Sequence, residues 1–194
     1  PSRRKPLYIC IGPAALKSHL QENTDGVVLS LFTSSQAFKR IVDASKSRRA
    51  ITAIFADAAP IHQLKLISLI YKRPITPLIL LSEHSDYLDS ILRHAASQAG
   101  MKINIVRMDP DESISQVLGR ISSSAAVLAV PDVRIYNQEN IREILMTTYR
   151  HNQYVVGFSA AMVRAGALAS VTSSVDDIAE HAADLVIDLD TGGD

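Results

Sequence analysis

The chain has 194 residues, which is enough to bury a core as one large domain or as two smaller lobes. Its composition is 47% hydrophobic, and 20 basic side chains balance 20 acidic ones at a formal net charge of +0. Neutrality removes the general electrostatic case for binding nucleic acid or an anionic membrane, and no apolar run approaches the roughly twenty residues of a membrane helix. Cys10 is the single cysteine, so neither an intramolecular disulfide nor a cysteine-based metal site can form.

Short apolar runs recur along the chain and predict strands. They cover residues 7–11, 27–32, 51–55, 78–81, 103–106, 126–130 and 154–158. Helical patterns lie between them, with apolar residues spaced along one face, as in the segments that begin at Leu88, Ile114 and Ile141. Because the runs are apolar throughout rather than alternating, the sheet needs helices on both faces. The predicted fold class is therefore α/β, with doubly wound parallel sheet.

Helix-capping residues mark where two of these helices begin. Asn137 fits the N-cap position of the helix that follows it. Ser173 and Asp176 have the spacing of a capping box, and we expect them to open the final helix.

Ligands of doubly wound sheets bind beyond the carboxyl ends of the strands. The residues that follow the predicted strands are mostly small or polar: Gly12-Pro13, Thr33-Ser34, Asp57, Ser82-Glu83-His84-Ser85, Asp109, Pro131-Asp132 and Ser159. Hydroxyls and unpaired amide N–H groups at helix starts suit a small polar ligand. The same residue types also cap helices in α/β proteins, so capping is the competing interpretation at each single position.

Common sequence motifs of enzymes are absent. The chain contains no G-x-G-x-x-G, G-x-x-x-x-G-K-[ST] or G-x-S-x-G motif, and Gly12-Pro13 stands where a phospho-receiver domain would carry paired acids. We expect no catalysis, no cofactor and no bound metal. The alternative is an α/β enzyme that uses Asp57, His84 and Asp132 as acid and base groups.

The stretch from Val130 to Leu185 carries an ordered set of motifs: Pro-Asp, a Tyr-Asn helix start, a Tyr-Arg helix end, Gly-Phe-Ser, Val-Arg-Ala-Gly-Ala-Leu and Ser-Ser-x-Asp-Asp-Ile. The residues that match are Pro131, Asp132, Tyr136, Asn137, Tyr149, Arg150, Gly157, Phe158, Ser159, Val163, Arg164, Ala165, Gly166, Ala167 and Leu168. This pattern resembles the ABC-transporter substrate-binding family, whose members have the type I periplasmic binding protein fold.

A second segment, "AIFADAAPIHQLKLI", resembles an upstream motif of the same family. It retains the motif's polar and apolar positions at Asp57, Pro60, Gln63 and Leu66. Ala59 stands where the motif has Gln, and His62 stands where it has Arg. The first fifty residues match the family loosely, as the closing strands of a first lobe.

The resemblance implies a solute-binding component of an ABC transport system, or a related sensor, located in the periplasm or another extracytoplasmic space. Its ligand would be a small polar metabolite, such as an amino acid or another carboxylate, held in a cleft between two lobes. An ABC permease would be its partner. The candidate ligand-binding residues are Gly12, Asp57, Ser82, Asp132, Tyr136, Ser159 and Arg164. A regulatory domain like those of lac-repressor-type regulators shares the fold, but the chain has no basic helix-turn-helix segment.

The segment that contains Arg164 has two competing interpretations. The guanidinium would hold the carboxylate of a ligand, or it would brace its loop by pairing with Asp132 or Asp57. Gly166 would permit a turn that is unfavourable for a residue with Cβ.

By the same resemblance, residues 1–50 are the remnant of a first lobe, with two strand–helix units, and residues 51–194 form a second, Rossmann-like lobe. Two strands rarely hold together alone in water, and open strand edges recruit other strands. We therefore expect residues 7–45 to join the sheet of the second lobe, or a second copy to complete the lobe in a homodimer. The homodimer is the favoured alternative.

Overall fold

The computed structural model describes residues 5–22, 24–120 and 126–191, in which strands alternate with helices. The strands are β1 (Leu7–Ile11), β2 (Val27–Thr33), β3 (Ala50–Phe55), β4 (Leu78–Leu81), β5 (Asn104–Arg107), β6 (Ala126–Leu128), β7 (Tyr154–Gly157) and β8 (Ala169–Ser170). The helices are α1 (Gly12–Gln21), α2 (Ser35–Ser45), α3 (Pro60–Tyr71), α4 (Leu88–Gln98), α5 (Ile114–Arg120), α6 (Asn140–Arg150), α7 (Ala160–Ala165) and α8 (Val175–Thr191).

The strands form two parallel sheets, with the orders β1-β2-β3 and β5-β4-β6-β7-β8. Each of the seven predicted strands is present, and β8 is an additional short strand beside β7. The predicted fold class, α/β with parallel sheets and helices, is confirmed. Among the helices of the described ranges, none combines the length and the apolar character needed to cross a bilayer.

The first unit comprises the chain up to residue 57 together with residues from 173 onward. Helices α1 and α2 cover one face of its three-stranded sheet, where Leu16 packs against Val28 in a core cluster. Helix α8 covers the other face, with Ile178 in the same cluster as Leu29. Helices of the same chain therefore pack on both faces of this small sheet, although Ile9 and Ile11 of β1 remain exposed.

The second unit comprises residues 58–172 and contains the five-stranded sheet. On one face, α3 and α4 contribute Leu64 and Leu92 to a core cluster. On the other face, the core includes Val117 of α5, Ile144 of α6 and Met162 of α7. The central strands β4 and β6 are buried on both sides because helices pack against both faces, as their uniformly apolar sequences require.

The division of the chain differs from the expected boundary after residue 50. Strand β3 pairs with β2 from Val27↔Ala50 onward, so it belongs to the first sheet rather than to the second lobe. Helix α8 also belongs to the first unit because its apolar face packs on that sheet. The expectation that residues 7–45 join the second sheet is therefore wrong, since β1 and β2 form a separate sheet with β3. The homodimer stays a prediction.

The caps of two helices can be compared with the sequence-based expectations. The Asn137 side-chain oxygen accepts hydrogen bonds from the backbone N–H groups of Glu139 and Asn140, so its predicted capping role is confirmed. The capping box of α8 lies one residue later than expected. The Ser174 N–H donates to the Asp177 carboxylate at 2.8 Å, and the Asp177 N–H donates to the Ser174 hydroxyl at 3.0 Å.

Candidate ligand-binding site

The carboxyl edge of the five-stranded sheet is organised around the carboxylate of Asp132, which is 2% exposed. Its Oδ2 accepts hydrogen bonds from the Ser82 N–H at 3.1 Å, the Ser82 hydroxyl at 2.7 Å and the Ser85 hydroxyl at 2.5 Å. Its Oδ1 accepts from the N–H groups of Arg134 at 2.9 Å and Ile135 at 3.1 Å. These bonds satisfy both oxygens of a buried charge, which would otherwise be costly to bury.

Two elements are joined by this network. Ser82 directly follows β4, whereas Asp132 lies in the turn after the neighbouring strand β6. Because the strands are parallel, their carboxyl ends meet at one edge, and the carboxylate fixes the loop of one strand to the loop of the other. Asp132 thus acts as a scaffold in this structure, and a direct contact between it and a ligand stays a prediction.

Arg134 extends the same scaffold to the next loop. Its guanidinium donates to the backbone carbonyls of Asp109, at 2.8 Å, and of Pro110, and its Nη1 lies 3.8 Å from the Glu83 carboxylate. The loop after β5 is held in this way against the turn after β6. A set of charge-assisted hydrogen bonds therefore fixes three consecutive loops of this sheet edge.

Ser159 follows β7 and caps α7, because its hydroxyl accepts a hydrogen bond from the Met162 N–H at 3.3 Å. Gly157, at the end of β7, lies in close contact with this helix. A Cβ at that position would be 2.8 Å from Cβ of Met162. The short turn therefore requires glycine where the strand meets α7.

Arg164 lies in the last turn of α7 and is exposed. Within the described part of its own unit it makes no hydrogen bond and no ion pair, and Asp132 is fully occupied by other donors. The pairing of Arg164 with Asp132 that the sequence suggested is therefore absent. Gly166 ends the helix with a φ of +122°, which confirms the turn expected at that glycine.

Tyr136 and Phe158 pack edge to face at the same sheet edge, with ring centroids 5.9 Å apart. The Tyr136 hydroxyl is buried and has no hydrogen-bond partner among the described residues. Burial, with the charge of Asp132 as the smaller cause, raises the pKa of this hydroxyl well above its ordinary range. The phenol therefore stays protonated and presents an unused donor beside the scaffold carboxylate.

Two predicted residues lie at the carboxyl edge of the other sheet. Gly12 begins α1 with a φ of +82°, and, apart from its chain neighbours, no atom of the described residues lies within 4 Å of the position that a Cβ would occupy. The Asp57 carboxylate accepts hydrogen bonds from the N–H and the hydroxyl of Ser35, both at 2.6 Å. Asp57 thus satisfies a backbone donor in the first turn of α2, as an N-capping group does.

The structure brings together four of the predicted residues, namely Ser82, Asp132, Tyr136 and Ser159, at one edge of the second sheet, as expected. Their contact with a ligand stays a prediction. Sequence reasoning did not select Ser85 and Arg134 as site residues, although both shape this edge. Ser85 lies three residues after Ser82, the spacing of a turn, and its N–H donates to the Ser82 carbonyl at 3.0 Å.

His84, from the enzymatic alternative, has an exposed side chain whose Nε2 lies 3.8 Å from the Glu83 carboxylate. Asp132, its proposed partner, already accepts five protein donors. In residues 5–22, 24–120 and 126–191, no three His, Cys, Asp or Glu side chains are grouped closely enough to hold a metal ion.

No protein-family model and no curated protein sequence matches this chain. Its fold is similar to that of the ABC domain from Streptococcus pneumonia crystallised in complex with L-Trp, with a TM-score of 0.60 and 16% sequence identity over 99% of this chain and 68% of that one. It is also similar to a conserved domain protein from Vibrio cholerae, with a TM-score of 0.61 and 15% identity over 96% of this chain and 64% of that one. The chain thus spans about two thirds of each similar structure. These likenesses establish an α/β fold consistent with a type I periplasmic-binding-like domain.

Proposed function

We propose that this chain is a solute-binding domain and that its ligand is a small polar metabolite with a carboxylate, such as an amino acid. The ligand would contact the carboxyl edge of the five-stranded sheet. The observation that carries the proposal is Arg164, an exposed residue in the last turn of α7, where the helix dipole also favours a cation. It has no hydrogen-bond or ion-pair partner in the described part of its unit. An arginine fork matches a carboxylate with two parallel hydrogen bonds.

The surroundings of Arg164 favour close approach of a small molecule. Ala160 and Ala161 open α7 with exposed, short side chains, and Gly166 ends it. Bulky residues at these positions would hold a ligand away from the backbone, whereas small residues leave it accessible. The adjacent loops are fixed by Asp132 and Arg134, which lowers the ordering cost of binding.

Transport would be carried out by a separate membrane complex, with an ABC permease as the partner of this domain in the periplasm or another extracytoplasmic space. The similarity in fold to a domain crystallised with L-Trp supports an amino acid as the first ligand class to test. The rival is an enzyme that uses Asp57, His84 and Asp132. The saturated hydrogen bonding of Asp132 argues against a proton-transfer role for that carboxylate.

A thermal-shift screen of amino acids and small carboxylates tests the proposal, with the corresponding amides as matched controls. A ligand at 100 times its dissociation constant adds roughly 2.7 kcal/mol to the free energy of unfolding, which is easily detected. We expect a subset of the carboxylates to raise the melting temperature and their amides to have little effect. Equal shifts with acids and amides, or no shift with any compound, would contradict the proposal.

A further inference from the structure

We propose that the first unit carries a second binding site, a groove between α1 and α2 that takes a small amphiphilic anion, meaning a carboxylate on an apolar chain. The groove has a volume of about 700 Å³. This volume is in the range of small-molecule sites, which are about 300–1,000 Å³. It follows α1 from Pro13 to Gln21, a span of about 12 Å at the rise of an α-helix.

The walls of the groove combine apolar side chains with two cations. Ala14, Lys17 and Leu20 of α1 follow one another at three-residue spacing, as do Ile41 and Ala44 of α2, and this spacing places residues on one side of a helix. Lys17 and Arg40 lie among them, and none of the described residues that line the groove is acidic. The lining is therefore apolar and positively charged.

Neither cation has a partner in the described residues of its unit. Lys17 and Arg40 are both exposed and form no hydrogen bond or ion pair there. Asp43 follows Arg40 by three residues, but its carboxylate accepts a hydrogen bond from Lys39 at 2.9 Å. The positive charge of the groove is thus not balanced by its neighbours.

Another groove of the same unit has acidic residues in its lining, and two of its basic residues are already engaged. There Lys5 lies 3.4 Å from Asp25, and Arg49 donates to the hydroxyl of Thr24 at 2.9 Å. These cations hold the local structure together, and acidic residues also line that groove. The other basic residues of that groove lie among its acidic residues, which disfavour an anionic ligand.

A groove of the second unit has cations with a different structural explanation. Lys72 and Arg73 follow the end of α3, and Lys102 follows the end of α4. Cations near a helix C-terminus stabilise the negative end of its dipole. Lys17 and Arg40, in contrast, lie in helix interiors, so this explanation does not apply to them.

A carboxylate on an apolar chain satisfies both features of the α1–α2 groove. The carboxylate accepts charge-assisted hydrogen bonds from Arg40 and Lys17, and the chain covers the apolar wall between Leu20 and Ile41. A neutral chain would leave the cations unpaired, and a small hydrophilic anion would leave the apolar wall exposed to water.

Calorimetric titration with decanoate tests this site, with decanol as the uncharged control ligand. We expect saturable binding of decanoate and much weaker binding of decanol. Lys17→Glu and Arg40→Glu each weaken decanoate binding by about tenfold or more, as the loss of a charged hydrogen bond predicts. Arg48→Glu is the matched control, because Arg48 is exposed in the same unit and does not line the groove. It leaves the affinity unchanged.

Three results would overturn the proposal: no saturable binding of decanoate, equal binding of decanol, or equal weakening by Arg48→Glu. Because both cations are exposed, the variants keep the fold, which circular dichroism and the melting temperature verify. Amino acids identified in the thermal-shift screen should bind the Lys17→Glu/Arg40→Glu variant with unchanged affinity. The proposal of this groove and the proposed function can therefore be confirmed or refuted independently.

Discussion

The hydroxyl of Ser82 donates a hydrogen bond of 2.7 Å to Oδ2 of Asp132, and this bond connects loops that are fifty residues apart in the chain. It joins the carboxyl ends of the neighbouring strands β4 and β6. The edge at which we propose ligand binding is therefore fixed before any ligand arrives, because a buried carboxylate holds its loops in place.

Replacing Asp132 should destabilise the protein strongly. Asp132→Asn removes the charge and turns one acceptor into a donor that faces other donors, so we expect a loss of about 2–4 kcal/mol in the free energy of unfolding. Urea denaturation measures this loss. Asp111→Asn is the control, since Asp111 is exposed and should change stability by less than about 0.5 kcal/mol. A loss of similar size in both variants would contradict the scaffold role.

Replacing Gly157 should also destabilise the fold, because a Cβ would lie 2.8 Å from Cβ of Met162. We expect Gly157→Ala to reduce the free energy of unfolding by about 1–3 kcal/mol, the usual cost of overpacking. Gly119→Ala provides the matched comparison. Gly119 lies in α5, and outside its own helix backbone no described residue has an atom near the added Cβ, so the variant should gain up to about 1 kcal/mol from helix propensity. If urea denaturation gave the same change in the free energy of unfolding for both variants, the close contact at Gly157 would be refuted.

The capping box of α8 should make stability depend on acid pH. Hydrogen bonds with Ser174 hold the pKa of Asp177 below its ordinary value. A carboxylate whose pKa is lower in the folded state contributes stability above the unfolded-state pKa of about 3.9, and this contribution is lost as the pH falls through the folded value. The melting temperature of Asp177→Asn should thus be lower than that of the parent protein at neutral pH. The difference between the two melting temperatures should disappear at acid pH.

The neighbouring acid gives the control for this prediction. Asp176 lies in the same first turn, but it forms no capping-box bond. Asp176→Asn should therefore lower the melting temperature less at neutral pH. If Asp176→Asn lowered the melting temperature more than Asp177→Asn does, the result would instead support the capping box expected from the sequence, in which Ser173 pairs with Asp176.

Arg164→Ala should weaken binding of a carboxylate ligand without affecting stability. The loss of a charged hydrogen bond costs about 1.5–3 kcal/mol of binding free energy. The melting temperature of the free protein should stay the same, because Arg164 has no partner in the described part of its unit. Calorimetry and thermal unfolding provide the two readouts. Unchanged affinity together with a lower melting temperature would instead indicate a bracing role.

Much of the fold follows from the sequence because buried parallel strands leave a strong local signal. The run at residues 78–81, for example, coincides with β4. Strand β8, by contrast, has two residues and therefore no hydrophobic period to detect. The cap of α8 was ambiguous by one residue, since Ser173-Asp176 and Ser174-Asp177 have the same spacing.

Long-range packing accounts for what the sequence did not predict. The assignment of α8 to the first unit depends on Ile178 and Leu29 meeting across the three-stranded sheet, and no local pattern encodes that contact. The order of strands in the sequence predicts that Ser82 and Asp132 lie at one edge of the sheet. The five hydrogen bonds that Asp132 accepts, however, depend on the folded conformation of the loops. A sequence motif identifies Asp132, but it does not distinguish a structural role for this carboxylate from a direct contact with a ligand.

The central claim is that a small carboxylate metabolite binds at the carboxyl edge of the five-stranded sheet. A backbone amide NMR titration of the labelled protein, with the amino acids and carboxylates that raise the melting temperature, tests it most directly. The account predicts saturable shifts concentrated after β4, β6 and β7, at residues 82–85, 132–136 and 158–167. Saturable shifts confined to other surfaces, or no shifts at millimolar ligand, would contradict it.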